Sequence, residues 1–153
     1  MDRTDAKILE FLQTNAGLSN KEIAEKIGID EKTCAARIKV LEADGVILQR
    51  VALLDPNKVG ASMTAFVAIT TPEHSQGWLD QFQSAVESFP EVVEFYRMSG
   101  QVDYLLRVVV PDIEAYDTFY KRLINGVKLK DVSSTFALEQ IKYTTVLPLN
   151  GLE

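Results

Sequence analysis

Apolar residues recur at helical spacing in the first part of the chain and in alternation in much of the second, and this change of period divides the sequence. Between positions 2 and 15, Ile8, Leu9, Phe11 and Leu12 fall on one helical face, and Gly17 follows as a stop. Ser19 and Glu22 have the capping-box spacing, in which each side chain satisfies a free backbone N–H at a helix start. Ile23, Ala24 and Ile27 then face inward, and Gly28 ends that helix by accepting the left-handed conformation. Asp30 is the expected N-cap of a third helix, which runs to Asp44 and stops at Gly45. Its buried stripe is Cys34, Ile38 and Leu41; Lys32, Ala36 and Lys39 point the other way, flanked by Thr33 and Arg37. "GVILQRVALLD" reads as a short β-hairpin wing with Arg50 near its tip.

"DPNKVGAS" punctuates the pattern as turns do and marks a boundary. Beyond it the pattern predicts a strand over 63–71 and a helix over 75–89, ended by Pro90. Strands over 92–99 and 102–110, a helix over 112–125 and a strand over 132–143 follow. The order β-α-β-β-α-β is that of the ferredoxin-like motif, a four-stranded antiparallel sheet with both helices on one face. The fold class is therefore α+β. The expected domains are a winged helix-turn-helix over 1–50, a wing strand and linker over 51–61, and a ferredoxin-like domain over 62–153. Met63, Ala65, Val67 and Ile69 alternate with Thr64, Phe66, Ala68 and Thr70, so both faces of the first strand are largely apolar. An uncovered apolar face is costly in water, and a dimer with two sheets stacked is expected.

Composition narrows the class without changing this picture. The 153 residues are 46% hydrophobic and 25% charged, ordinary for soluble globular domains. No signal-peptide pattern opens the chain and no apolar run approaches membrane-spanning length, so a cytoplasmic protein without membrane contact is expected. One cysteine, Cys34, excludes an internal disulfide, and one histidine, His74, makes no metal set. The net charge of −6 argues mildly against nucleic acid, but the first fifty residues carry only −1 of it, with eight Lys or Arg against nine Asp or Glu.

Two stretches carry candidate chemistry. The outward face of the third helix combines cations, a hydroxyl and a small residue, the materials a major-groove helix uses on bases and phosphates. Ser19, Asn20, Lys21, Lys32, Thr33, Ala36, Arg37, Lys39 and Arg50 are the candidate DNA-binding residues. In "MSGQVDY", Gly100 permits a positive-φ turn and Asp103 stabilises loop backbone, which is a sufficient local account of both. There is no Gly-rich phosphate loop, metal spacing or nucleophile-base pair, so neither an enzyme nor a bound cofactor is expected. The alternative to a DNA-binding regulator is a non-catalytic adaptor or amino-acid-sensing module that uses the winged helix for protein contacts.

The succession "DRTDAKILEFLQTNAGLSNKEIAEKIGI", "TCAARIKVLEADGVI" with "ALLDP", "MSGQVDYLLRVVVPDIEAY" and "LEQIKYTT" resembles the Lrp/AsnC (leucine-responsive, feast/famine) regulators over nearly the whole chain. The resemblance implies an N-terminal DNA-binding domain and a C-terminal effector-binding and oligomerisation domain of the RAM, ACT-like type. It also implies double-stranded DNA as partner, homodimers assembling into tetramers or octamers, and an amino acid effector. In the family this loop meets the effector between dimers, which makes Met98, Ser99, Gly100, Gln101, Val102, Asp103 and Tyr104 candidate effector contacts. Ser134, Thr135, Phe136 and Ala137, from the same or a neighbouring chain, join them. Asp103 suits the ligand's ammonium group, exposed backbone N–H groups its carboxylate, and the apolar neighbours a ligand more apolar than charged. The chain departs from the family pattern in "DEKTCAARIKVLE", which lacks a Ser-Pro element, and at Val132 and Ser134, where many relatives carry threonines.

Overall fold

Each of the first three helices begins on a side chain that accepts from its free N–H groups. In the computed structural model, which describes residues 1–149, α1 spans Arg3–Thr14, α2 Asn20–Ile27 and α3 Glu31–Ala43. Asp2 and Asp5 form a capping box on α1, Ser19 and Glu22 form another on α2, and Asp30 accepts from the N–H of Thr33 on α3. Gly28, with φ 76°, closes α2 in the left-handed conformation. Ile8, Ile23 and Cys34 are fully buried where the three helices meet, with Leu9, Ala24, Ile38 and Leu41 around them. Burial pushes the Cys34 thiol up from its ordinary pKa, so this residue behaves as a small hydrophobe.

The chain divides into two compact units, one of Met1–Leu53 with Lys142 onward, the other of Leu54–Ile141. Two expectations are corrected in the first unit. Residues 46–54 form no strand, so the expected wing hairpin is absent among the described residues. Residues 142–149, expected in the second domain, belong to the helical unit. The side-chain amide of Gln13 accepts from the N–H of Leu147 at 2.7 Å and donates to its carbonyl at 3.2 Å, and Leu149 packs against the helical core. A unit of about fifty residues has little interior of its own, and a returning apolar segment enlarges it.

The second unit comprises β1 (Met63–Thr70), α4 (Gln76–Glu87), β2 (Val92–Arg97), β3 (Tyr104–Val110), α5 (Ile113–Gly126) and β4 (Asp131–Phe136). The strands form one antiparallel sheet in the order β2-β3-β1-β4. Ala65, Val67, Ile69, Leu106, Val108 and Val110 are buried with Trp78 and Phe82 of α4 and Phe119 and Leu123 of α5 in one core. β4 stops at Phe136 instead of continuing to 143, because β1 runs out beside it: the last bond joins the N–H of Ala137 to the carbonyl of Thr64 at 2.9 Å. Ile113, at the start of α5, is exposed.

The alternate positions form the sheet's other face. Phe66 is 38% exposed there, with Ala68, Leu105 and Val109 half-buried. The face is less uniformly apolar than the first strand suggests, since Arg107 pairs with Glu94 at 2.7 Å across β2 and β3, and the Tyr96 hydroxyl donates to Glu94 at 2.9 Å.

Candidate functional site

The outward side of α3 presents Lys32, Ala36 and Lys39 to solvent, and neither lysine has an ion-pair partner among the described residues. Lys21, on the first turn of α2, is exposed as well, and Asn20 is half-buried. The other candidates on this side are engaged within the chain. The Ser19 hydroxyl donates to Glu22 at 2.7 Å within the capping box. The Thr33 hydroxyl donates to Asp30 at 2.5 Å. Arg50, expected at a wing tip, instead pairs with Glu42 of α3 at 3.1 Å.

Arg37 is the largest departure from expectation. Its Nη1 donates to Asp2 at 2.8 Å and to Asp5 at 2.9 Å, at the start of α1. The Asp5 and Asp2 carboxylates raise the pKa of the guanidinium above its ordinary value. The N–H of Asp5, and next Arg37, hold the Asp2 carboxyl below its own. Nothing local in the sequence marks either aspartate as a partner of Arg37, because the pairing joins positions thirty-odd residues apart.

In the second unit, Met98, Ser99, Gly100 and Gln101 form an exposed loop between β2 and β3, with Val102 and Asp103 half-buried behind them. Gly100 has φ 130°, a conformation L side chains rarely adopt. Asp103 is tied down three ways. Its carbonyl accepts from the N–H of Met98 at 2.8 Å, its N–H donates to the carbonyl of Ile69 at 3.0 Å, and its Oδ2 accepts from the N–H of Thr71 at 2.8 Å. The other carboxylate oxygen, Oδ1, has no hydrogen-bond or ion-pair partner among the described residues.

Tyr104 does not belong to this exposed group. It is 5% exposed, with its ring centroid 5.6 Å from Trp78, 5.3 Å from Phe82 and 5.7 Å from Phe95. The strand period explains the correction, since Tyr104 shares parity with Leu106, Val108 and Val110 and so faces the helices.

The second set of candidates lies elsewhere on the sheet. The Ser134 and Tyr116 hydroxyls are hydrogen-bonded, and Phe136 meets the Tyr116 ring edge-on at 4.8 Å. Both residues line a groove of about 350 Å³ between α5 and β4, with Asp117, Tyr120 and Val132. Thr135 and Ala137 are exposed. Ser134 stands opposite Val67 and Phe136 opposite Ala65, whereas the loop extends beyond Tyr104, which is opposite Ile69. With β1 lying between β3 and β4, one chain does not bring residues 134–137 to the loop.

Comparison with known proteins agrees with both halves of this arrangement. Residues 1–47 match a winged helix-turn-helix DNA-binding family, and residues 64–147 match the Lrp/AsnC ligand binding domain. The glutamate uptake regulatory protein of Zymomonas mobilis is 50% identical over 97% of this chain and 91% of its own. The DNA-binding transcriptional activator DecR of Escherichia coli is 49% identical over 97% and 99%. An AsnC family transcriptional regulator from Agrobacterium tumefaciens has 60% identity and TM-score 0.94 over 97% of each chain. A transcriptional regulator of Neisseria meningitidis, solved as its L-Met complex, has 35% identity and TM-score 0.94 over 100% of this chain and 99% of that one. The chain belongs to the Lrp/AsnC family of DNA-binding transcriptional regulators, non-enzymatic proteins that carry an amino-acid-binding domain.

Proposed function

We propose that this regulator binds double-stranded DNA as a homo-oligomer in the cytoplasm, through the outward face of α3 and the start of α2, and that an amino acid held at the β2–β3 loop sets that binding. The observation that carries the DNA reading is the solvent-facing group Lys32, Ala36 and Lys39 on the second helix of a helix-turn-helix. Free cations supply phosphate contacts, and a small residue between them lets the helix approach a base edge. Lys21 and Asn20 at the start of α2 lie where a helix N-terminus meets phosphate. Ser19, Thr33 and Arg50 contribute through the hydroxyls and guanidinium that already brace these helices.

For the effector, Oδ1 of Asp103 is free to accept from an ammonium group, and the turn at Gly100 leaves backbone donors exposed for a carboxylate. Val102 and Met98 offer apolar contact, which favours a ligand more apolar than charged. Residues 134–137 join the site from a neighbouring chain, because their own chain holds them two strands away. The L-Met complex of the Neisseria relative supports the ligand class. Stacking of the open sheet faces around Phe66 forms the dimer, and loop contacts between dimers form tetramers or octamers. A ligand alters DNA binding only by favouring one assembly over another, and couplings of about 1–3 kcal/mol are usual.

Selection of duplexes from a random pool, followed by footprinting on the enriched sequence, tests the DNA reading; a pool that yields no motif refutes it. Calorimetry with the twenty amino acids, and sedimentation with any binder, tests the effector reading, which fails if none binds.

A further inference from the structure

Arg37 lies three residues after the fully buried Cys34, roughly 60° from it around the helix axis, whereas Ala36 lies roughly 160° away. The guanidinium is thereby turned toward α1. The two carboxylates it meets are already fixed by backbone: Asp2 accepts from the N–H groups of Thr4 at 2.8 Å and Asp5 at 3.0 Å, and Asp5 accepts from that of Asp2 at 2.9 Å. One cation therefore joins α3 to a rigid capping box. The Arg37 side chain is 33% exposed and that of Asp5 14%, which sets the pair apart from solvated surface ion pairs.

We infer that Arg37 is a positioning residue for DNA recognition: held by Asp2 and Asp5, it fixes the rotation of α3 on α1 and thereby the direction in which Lys32, Ala36 and Lys39 face. The inference rests on the reading of α3 as the DNA-contacting helix. A rotation of roughly 20° moves a side-chain tip on a helix of about 5–6 Å outer radius by about 2 Å. That displacement breaks a hydrogen bond to a base edge while leaving a flexible lysine able to reach phosphate.

The test measures equilibrium binding to a duplex selected by the parent protein and to its scrambled counterpart, over a range of salt, with circular dichroism confirming that each variant is folded. Asp5→Asn removes a negative charge, which by itself favours DNA. Positioning predicts the opposite for the selected duplex, a loss of about tenfold, with scrambled binding no weaker than the parent's and the salt slope unchanged. Arg37→Ala shows the same loss, and the double variant loses no more than either single one. Arg37→Lys, which keeps the cation but contacts the carboxylates at a single point, also loses discrimination with the slope unchanged, and serves if Asp5→Asn unfolds the unit. The inference is overturned if Asp5→Asn binds the selected duplex as tightly as the parent, if Arg37→Ala lowers the salt slope by about one, or if Arg37→Lys keeps full discrimination. Failure of the parent to select any duplex overturns the underlying DNA reading instead.

Discussion

The carboxylate of Asp103 accepts from the backbone N–H of Thr71 at 2.8 Å, fastening the β2–β3 loop to the end of β1. Thr71 is 5% exposed, so water does not readily replace that acceptor. Asp103→Ala should therefore lower the stability of the sheet domain by about 1–3 kcal/mol, as well as weaken effector binding. Asp103→Asn keeps an oxygen for Thr71 and removes the charge. Urea unfolding should show it near parental stability, while calorimetry shows the amino acid bound more weakly. Equal ligand affinity in Asp103→Asn and the parent would reduce Asp103 to a loop brace.

Gly100 needs a φ of 130°, and a Cβ placed there meets nothing within 4 Å. The cost of Gly100→Ala is thus conformational, roughly 1–2 kcal/mol. A crystal structure of the variant should show the loop rebuilt and the sheet unmoved, and calorimetry should show weakened effector binding.

Tyr104→Ala empties an aromatic position among Trp78, Phe82 and Phe95. The expected loss is about 3–5 kcal/mol, read in chemical denaturation. A small loss of stability with a large loss of ligand affinity would return Tyr104 to the effector site.

Lys32→Ala and Lys39→Ala should each weaken binding to every duplex and lower the salt slope by about one, since each phosphate contact releases about one counterion. Fluorescence anisotropy from low to moderate salt measures both quantities. An unchanged slope in both variants would move the DNA face away from this side of α3.

Acid should destabilise the helical unit through its caps. Backbone and side-chain hydrogen bonds, from the Asp5 N–H and Arg37 to Asp2, from Ser19 to Glu22 and from Thr33 to Asp30, hold these carboxyls below their ordinary values. Carboxyls with depressed folded pKa values contribute stability above about pH 4, and that contribution disappears as pH falls through the folded values. Thermal melts between pH 7 and pH 3 should show the decline, and Asp2→Asn should make it shallower.

The sequence was most readable where the determinant is local. Ser19 with Glu22, Asp30, and Gly28 mark helix ends through bonds to residues a few positions away, and those ends stand where the spacing put them. Strand parity also separates the two faces of β1 and β3, and applied to Tyr104 it would have placed that ring in the core. What resisted reading was non-local. Strand-like residues at 46–54 and 137–143 form a strand only if a ladder partner lies beside them, and composition does not supply one. Arg37 and Lys39 are both cations of α3 outside its buried stripe, and nothing local marks Arg37 as the one that Asp2 and Asp5 of α1 claim.

Because residues 142–149 return to the helical unit, the sheet domain is an insertion within the DNA-binding one. In genetic terms, position along the gene and position in function part company after the codon for Ile141. A nonsense codon just after Ile141 would leave the four strands and five helices of the described residues encoded, yet remove the backbone that Gln13 grips and the leucine beneath it. Its phenotype should map with lesions in the first fifty codons, not with those of the effector loop that lies nearer to it in the reading frame.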